Sequence, residues 1–346
     1  MELYPWLVPF YEQLIENRDR LPQALLILGP AGIGKWQLGL QTARLLLCQN
    51  SSENGICGDC ERCRGYKKSM VPDLHLIVPE AFELQEPENS LALRYAAESS
   101  STSKSSRAGQ SISIRQIRLL IERLATHGYS QGQKVVLIYP ASSLNINAAN
   151  ALLKILEEPP TQTRFLLISD DRNGMPATIL SRVSDFSVST PDADISHKWL
   201  LEEGVDESKV MQLLKTAAGG PLKALEFHHS DYLARSKNWK VILQKVAKEK
   251  TDPSLAGAVI GKDHVIDFVR WLENILTDAV LLGHGQRCTT LLDAGNLEDC
   301  ALAERLYFKE IWDMIRKIQI YLRYQKNSAD GQLFLEDVLI AIWQKA

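Results

Sequence analysis

Gly29-Pro30-Ala31-Gly32-Ile33-Gly34-Lys35-Trp36 is the stretch from which the rest of the chain is read. It follows the apolar run Ala24-Leu25-Leu26-Ile27-Leu28 and opens a segment with helical character, in which Leu38, Ala43, Leu45 and Leu46 make an apolar face. Strand, glycine loop and helix in that order form a phosphate-binding P-loop. The pattern G-x-x-x-x-G-K-[ST] ends on a hydroxyl that ligates Mg²⁺, and here that place holds Trp36. Gly29, Gly34 and Lys35 are the candidate nucleotide contacts, at a site whose metal ligand is missing.

A second departure lies further along. Gln131-Gly132-Gln133 turns into the apolar run Lys134-Val135-Val136-Leu137-Ile138, the place where P-loop ATPases end a strand in the Asp of the Mg²⁺ shell, often followed by a Glu that orients water. Here the two places hold Tyr139 and Pro140, so neither carboxylate is present. Phosphoryl transfer depends on the metal and the positioned water, and together these losses speak against hydrolysis.

Other apolar runs mark further buried parallel strands, at 73–79 and at Arg164–Asp170. Between them Ser113 and Gln116 form a capping box before Ile114, Ile117, Ile121 and Leu124, which predicts a helix to about His127-Gly128. Asn145 or Asn147 caps a helix that ends at Pro159-Pro160 and buries Leu152, Leu153 and Leu156. The strand and helix alternation is expected to stop near Pro191. The low-complexity run Ser99–Gln110 is expected to be a mobile loop, since it holds too little apolar surface to offset its ordering entropy.

Six cysteines are distributed unevenly: Cys48, Cys57, Cys60 and Cys63 cluster, while Cys288 and Cys300 stand alone. Overlapping C-x-x-C pairs in a polar stretch turn thiolates inward from a tight loop, Gly58 supplies the turn, and Cys48 at a helix end closes a tetrahedron. These four residues are predicted to hold a structural Zn²⁺, a closed staple with no open position for chemistry. His75, in an alternating run, is read as a half-buried strand residue, because the quartet needs no further ligand.

With 346 residues, 45% hydrophobic and 23% charged, the chain suits two or three globular domains. A formal net charge of -3 excludes an overall basic field for nucleic acid. There is no basic n-region with an apolar core at the N-terminus, and no apolar run approaches the roughly 18 residues of a membrane span. A cytoplasmic protein without membrane contact is the expectation.

The order of motifs (degenerate P-loop, cysteine quartet, Lys134–Ile138, Asn150-Ala-Leu-Leu-Lys-Ile-Leu-Glu-Glu-Pro-Pro160, then Thr178-Ile-Leu-Ser-Arg-Val183) resembles that of the delta-prime subunits of bacterial DNA polymerase III clamp loaders. These are AAA+ proteins related to the gamma/tau subunit and to eukaryotic replication factor C. The resemblance implies an α/β fold with an AAA+ P-loop-type parallel sheet and an inserted zinc module, a small helical lid and an all-α C-terminal collar domain. The implied boundaries are 1–190 with the module at 48–63, 191–229 for the lid, and 230–346 for the collar used in oligomerisation. In that last region Val265, Phe268, Leu272, Ile275 and Ala279 recur at helical spacing, as do Ile311, Ile315, Ile318 and Leu322. Trp271, Trp312 and Trp343 are candidate interface residues there.

By the same resemblance, Ser181-Arg182 matches the start of the family's Ser-Arg-Cys motif, with Val183 in the third place. Arg182 then resembles an arginine finger that enters the ATP site of a neighbouring subunit, a group worth about 10³ to 10⁵ in rate in well-studied NTPases. Leu222 stands near where active relatives carry a second sensor arginine. The implied protein is a non-hydrolysing stator without catalysis of its own, within a DNA-directed DNA polymerase (nucleotidyltransferase) holoenzyme. It assembles as a hetero-oligomer with gamma/tau and delta subunits to load the sliding clamp onto primed DNA in replication, and its own nucleotide is not expected. Two rivals stay open: an active AAA+ ATPase with atypical metal ligation, and a zinc-module nucleic-acid-binding repair protein using Arg62, Arg64, Lys67 and Lys68. From position alone, Arg182 also suits an ordinary surface salt bridge.

Overall fold

The apolar runs pair into one five-stranded, all-parallel sheet in a computed structural model of the chain, which describes residues 3–84, 87–96, 109, 111–125, 133–249, 251–283, 308–324 and 328–345. The strands are β1 (Ala24–Leu28), β2 (Leu74–Ile77), β3 (Lys134–Ile138), β4 (Thr163–Ser169) and β5 (Ser184–Ser187), in spatial order β2-β3-β4-β1-β5. Register runs from Ala24 opposite Phe165 to Leu28 opposite Ser169, and from Lys134 opposite Thr163 to Ile138 opposite Leu167. The central strands are buried on both faces, which is why they read as unbroken apolar runs.

β5 is an addition to the sequence reading. The sequence places the end of the strand and helix alternation near Pro191 but marks no strand after Asp170, and Ser184–Ser187 pairs with β1 from Leu25 opposite Ser184 to Leu28 opposite Ser187. It lies at the sheet edge and is largely exposed, so its polar composition carries no strand signal.

Helices α1 (Val8–Glu16), α2 (Lys35–Leu47), α3 (Glu61–Lys67), α4 (Glu88–Ala96), α5 (Ile114–Ala125), α6 (Ile146–Glu157) and α7 (Ala177–Leu180) accompany the sheet. Two of them begin as predicted. The Gln116 side chain accepts from Ser113 N at 2.9 Å while Ser113 Oγ accepts from Gln116 N at 3.3 Å, and Asn145 Oδ1 accepts from Ala148 N at 2.8 Å. Ile117, Leu120, Leu124, Ala148, Leu152 and Leu156 seat α5 and α6 against Val136, Ile138, Phe165 and Leu167 of the sheet.

The chain divides into two compact units, 1–195 and 196–346. Within the second, α9 (Glu207–Thr216) and α10 (Pro221–His229) share a small core of Leu200, Val210, Leu213, Leu214 and Ala224, to which α8 (Ala193–Glu202) contributes Leu200. A larger core joins α11 (Tyr232–Glu249), α12 (Pro253–Ile260), α13 (Val265–Gly283), α14 (Phe308–Tyr324) and α15 (Ser328–Lys345). The two predicted stripes face this core: Val265, Phe268, Leu272, Ile311, Ile315 and Ile318 are all buried. Trp271 belongs to it too, at 3% exposure, so that candidate interface residue is internal, whereas Trp312 and Trp343 are exposed. Among the described residues no helix is long and apolar enough to cross a membrane. The serine-rich run, apart from Gly109, lies outside the described residues, as do Cys288, Cys300 and the expected helix end at His127-Gly128.

Candidate functional site

The glycine loop leaves the C-terminal end of β1 and enters α2, with Gly34 as the N-cap residue at φ 88°. That left-handed conformation is why glycine stands there. A Cβ on Gly34 would lie 2.8 Å from Tyr4 Cδ2, and one on Gly29 would lie 2.3 Å from the Val188 carbonyl oxygen beyond β5. The loop is therefore gripped on two sides by its own chain. Trp6 Nε1 donates to Ile33 O at 2.8 Å and fixes the N-terminal segment over it.

Because β4 sits between β3 and β1, the residues just past these strands converge. Lys35 Nζ forms an ion pair with Asp170 Oδ1 at 2.7 Å and also donates to the Pro30 carbonyl. The lysine side chain is 2% exposed, so burial depresses its pKa, while Asp170 opposes that shift and keeps a counter-charge in place. Asp170 closes a strand predicted from the sequence, but nothing in the sequence pairs it with Lys35. The Asp170 side chain is 46% exposed, so the pair joins a buried ammonium to a half-exposed carboxylate.

Aromatic rings fill the metal-ligand positions. Trp36 lies against Tyr139 with ring centroids 5.3 Å apart, and Phe82 meets Tyr139 edge-on at 5.2 Å and Trp36 at 6.3 Å. Burial, with the Asp170 charge adding to it, pushes the Tyr139 phenol up to about 12. It is a neutral hydroxyl at physiological pH, and the trio offers no anionic oxygen for Mg²⁺.

The four predicted cysteines come together. Cys48 caps the C-terminal end of α2, Cys60 is the N-cap of α3 and Cys63 lies within it, while Gly58, at φ 80°, turns the loop between Cys57 and Cys60. Cys48 Sγ lies 3.5, 4.0 and 3.7 Å from the sulfurs of Cys57, Cys60 and Cys63, and all four sulfurs fall within 4.8 Å of one another. A tetrahedron with Zn–S bonds of about 2.3 Å has edges of about 3.8 Å, so the quartet matches a closed four-sulfur site. The backbone N–H groups of Cys57, Cys60 and Cys63 each donate to a cluster sulfur at 3.4 Å, suited to stabilising thiolate charge. Within the coupled quartet, hydrogen-bond donors lower the Cys57 and Cys60 thiols, at Cys60 against burial as the largest opposing effect, while burial raises those of Cys48 and Cys63. The cluster can hold a metal ion such as zinc.

Arg62, between two of the cysteines, turns inward. Its Nη2 pairs with the buried Asp73 at 3.0 Å and its Nη1 reaches Leu47 O and Gln133 O at 3.4 and 3.3 Å. This removes one of the four cations proposed for a nucleic-acid surface. His75 is buried more fully than predicted, at 6% exposure, with Nδ1 bonded to the Tyr95 hydroxyl. Burial, with Lys134, Arg94 and Arg123 nearby, pushes its pKa down to about 4, and it does not join the cysteine cluster.

Ser181 and Arg182 lie on the turn that ends α7, remote in sequence from the glycine loop. Arg182 Nε donates to Glu157 Oε1 at 2.9 Å, Nη2 pairs with the same oxygen, and Nη1 donates to Thr178 O at 2.8 Å and to Ser181 Oγ at 3.0 Å. The Arg182 side chain is about one-third exposed, and Val183 packs on the sheet core. In the isolated chain, then, the arginine makes a surface salt bridge. No local sequence signal joins Glu157 to Arg182, because the pair is 25 residues apart and brought together only by the fold.

Among characterised proteins, the DNA polymerase III subunit delta' of Pseudomonas aeruginosa is 34% identical over 229 residues, spanning 66% of this chain and 62% of that protein. That of Escherichia coli is 27% identical over 349 residues, 99% of this chain and 96% of that one. Among solved structures, a DNA polymerase III gamma subunit-related protein of Thermotoga maritima has a TM-score of 0.44 at 16% identity, covering 98% of this chain and 99% of that chain. The family described as DNA polymerase III, delta subunit, matches residues 8–192, more than half of the chain, and the chain belongs to that family.

Proposed function

We propose that this clamp-loader subunit is a non-hydrolysing AAA+ stator that lends Arg182 to the ATP site of an adjacent subunit. The observation that carries the reading is the closure of its own site: Asp170 neutralises Lys35, and Trp36 and Tyr139 stand where metal ligands belong. Hydrolysis needs Mg²⁺ and a positioned water, and neither has a holder there. Arg182 is the group with the chemistry to act elsewhere, as a planar cation on an accessible turn.

On this reading the chain assembles in the cytoplasm with gamma/tau and delta subunits as a hetero-oligomer, without membrane contact, and contributes to loading the sliding clamp onto primed DNA. It is a component of the polymerase holoenzyme rather than an enzyme alone. The α/β unit with its cysteine module (1–190), a lid (191–229) and a collar (230–346) form its working parts. Zn²⁺ held by Cys48, Cys57, Cys60 and Cys63 is structural, joining the end of α2 to α3.

The test is Arg182→Ala in the complex reconstituted with gamma/tau and delta. Assembly persists while DNA-stimulated ATPase falls; unchanged turnover removes the finger. Mg²⁺-dependent ATP hydrolysis by the purified chain, lost on Lys35→Ala, would overturn the inert site.

A further inference from the structure

The guanidinium of Arg182 is almost saturated by its own chain. Of the five N–H groups of an arginine, Nε and one on Nη2 go to Glu157, and both on Nη1 go to Thr178 O and Ser181 Oγ. One N–H on Nη2 is left. Gripping a phosphate with two parallel bonds takes two N–H groups from one edge of the guanidinium. The Nε edge is wholly occupied by Glu157, and the other edge is half occupied. As it stands, Arg182 cannot hold a phosphate in that way.

Glu157 is the last residue of α6, where the helix dipole disfavours a negative side chain and so favours a cation beside it. Its side chain is 51% exposed, so the pair is open to exchange. An exposed pair of this kind shifts an equilibrium by roughly fivefold at most, weak enough for a terminal phosphate to displace.

We propose that Glu157 is a latch: its carboxylate stands in for the phosphate and holds Arg182 in reserve until the nucleoside triphosphate of the adjacent subunit displaces it. The proposal rests on the arginine-finger reading. Breaking the latch enlarges the fraction of Arg182 competent to engage and removes a competitor from the encounter, so apparent ATP affinity rises by the same factor. The saturated rate does not change, because once ATP is engaged the carboxylate has already left.

The experiment compares Glu157→Ala and Glu157→Gln with the parent chain in the reconstituted complex, measuring ATPase against ATP concentration. Both variants lower KM for ATP, Ala by up to roughly fivefold and Gln by less, with kcat unchanged. In an Arg182→Ala background Glu157→Ala changes nothing. A KM that stays the same or rises, or a fall in kcat, overturns the latch while leaving the finger intact. If Arg182→Ala alone leaves turnover untouched, the finger reading falls and the latch falls with it. Circular dichroism spectra of variant and parent chains that superimpose exclude a folding effect, as expected for an exposed glutamate.

Discussion

Replacing Arg62 by Ala tests how the cysteine module is held to the sheet. Arg62 sits in α3 between Cys60 and Cys63, and its guanidinium spans to Asp73 just before β2, Leu47 at the end of α2 and Gln133 just before β3. The Arg62 and Asp73 side chains are 14% and 6% exposed. The two carbonyl contacts, at 3.4 and 3.3 Å, are long and contribute little. The ion pair decides the magnitude. Alanine leaves the Asp73 carboxylate buried without this partner, and breaking a buried pair from one side costs about 3–5 kcal/mol, whereas an exposed pair is worth about 0.2–1 kcal/mol. Native-state hydrogen exchange of the β2 and β3 amides reads this unit separately from residues 196–346. Opening free energies there should fall by about 3–5 kcal/mol. A double variant, Arg62→Met with Asp73→Leu, should recover most of that loss, since apolar side chains replace both charges together. A loss below about 1 kcal/mol in Arg62→Ala would place the pair in the exposed class and refute the idea that it anchors the module.

Two further outcomes follow from buried groups. Protein purified without chelator should carry close to one equivalent of zinc, and its removal should abolish exchange protection across 48–67; well under one equivalent counts against the quartet as a metal site. His75 has a folded pKa of about 4, below its unfolded value of about 6.5, so the unfolded chain binds more protons between those values. Its contribution is complete above about pH 6.5 and is lost as pH falls toward 4, by about 2 kcal/mol at pH 5 and about 3 kcal/mol in full. Urea unfolding of the parent and of His75→Gln at pH 7 and pH 5 measures this, and equal losses in the two proteins would show that His75 is not responsible.

Features with local signals were legible in the chain. β1, β3 and β4 announce themselves because strands covered on both faces must be apolar throughout, and the cysteine quartet because spacing within a short loop sets the geometry directly. β5 was not legible: it is an edge strand held by backbone pairing with β1, and Phe186 is its one apolar, half-buried side chain. Trp271 follows Phe268 by three positions and falls on the buried stripe, so a wider helical face would have placed it in the core. Asp170 and Glu157 were hidden for another reason. Each is an ordinary acidic residue near the end of an element, and its meaning comes from a partner 135 or 25 residues away that only the fold brings near.

The same distinction bears on the glycine loop. Gly29 is required by the carbonyl of Val188, which leaves no room for a Cβ, and Gly34 by its positive φ against the ring of Tyr4. Trp6 bonds the loop carbonyl of Ile33, and Lys35 satisfies both Asp170 and the Pro30 carbonyl. None of these contacts involves a phosphate, and each would be lost by changing a motif residue or its partner. With Lys35 2% exposed and its charge matched by an Asp170 whose side chain is 46% exposed, an incoming triphosphate would have to exchange with Asp170 for the lysine. The glycine loop therefore serves here as a fold element joining β1, β5 and the N-terminal segment. The arginine on the α7 turn differs on the cation's side: Arg182 is about one-third exposed where Lys35 is 2% exposed, while their partners Glu157 and Asp170 are exposed to a similar degree. On the proposed reading, Arg182 rather than Lys35 is therefore the cation placed to reach another subunit's phosphate.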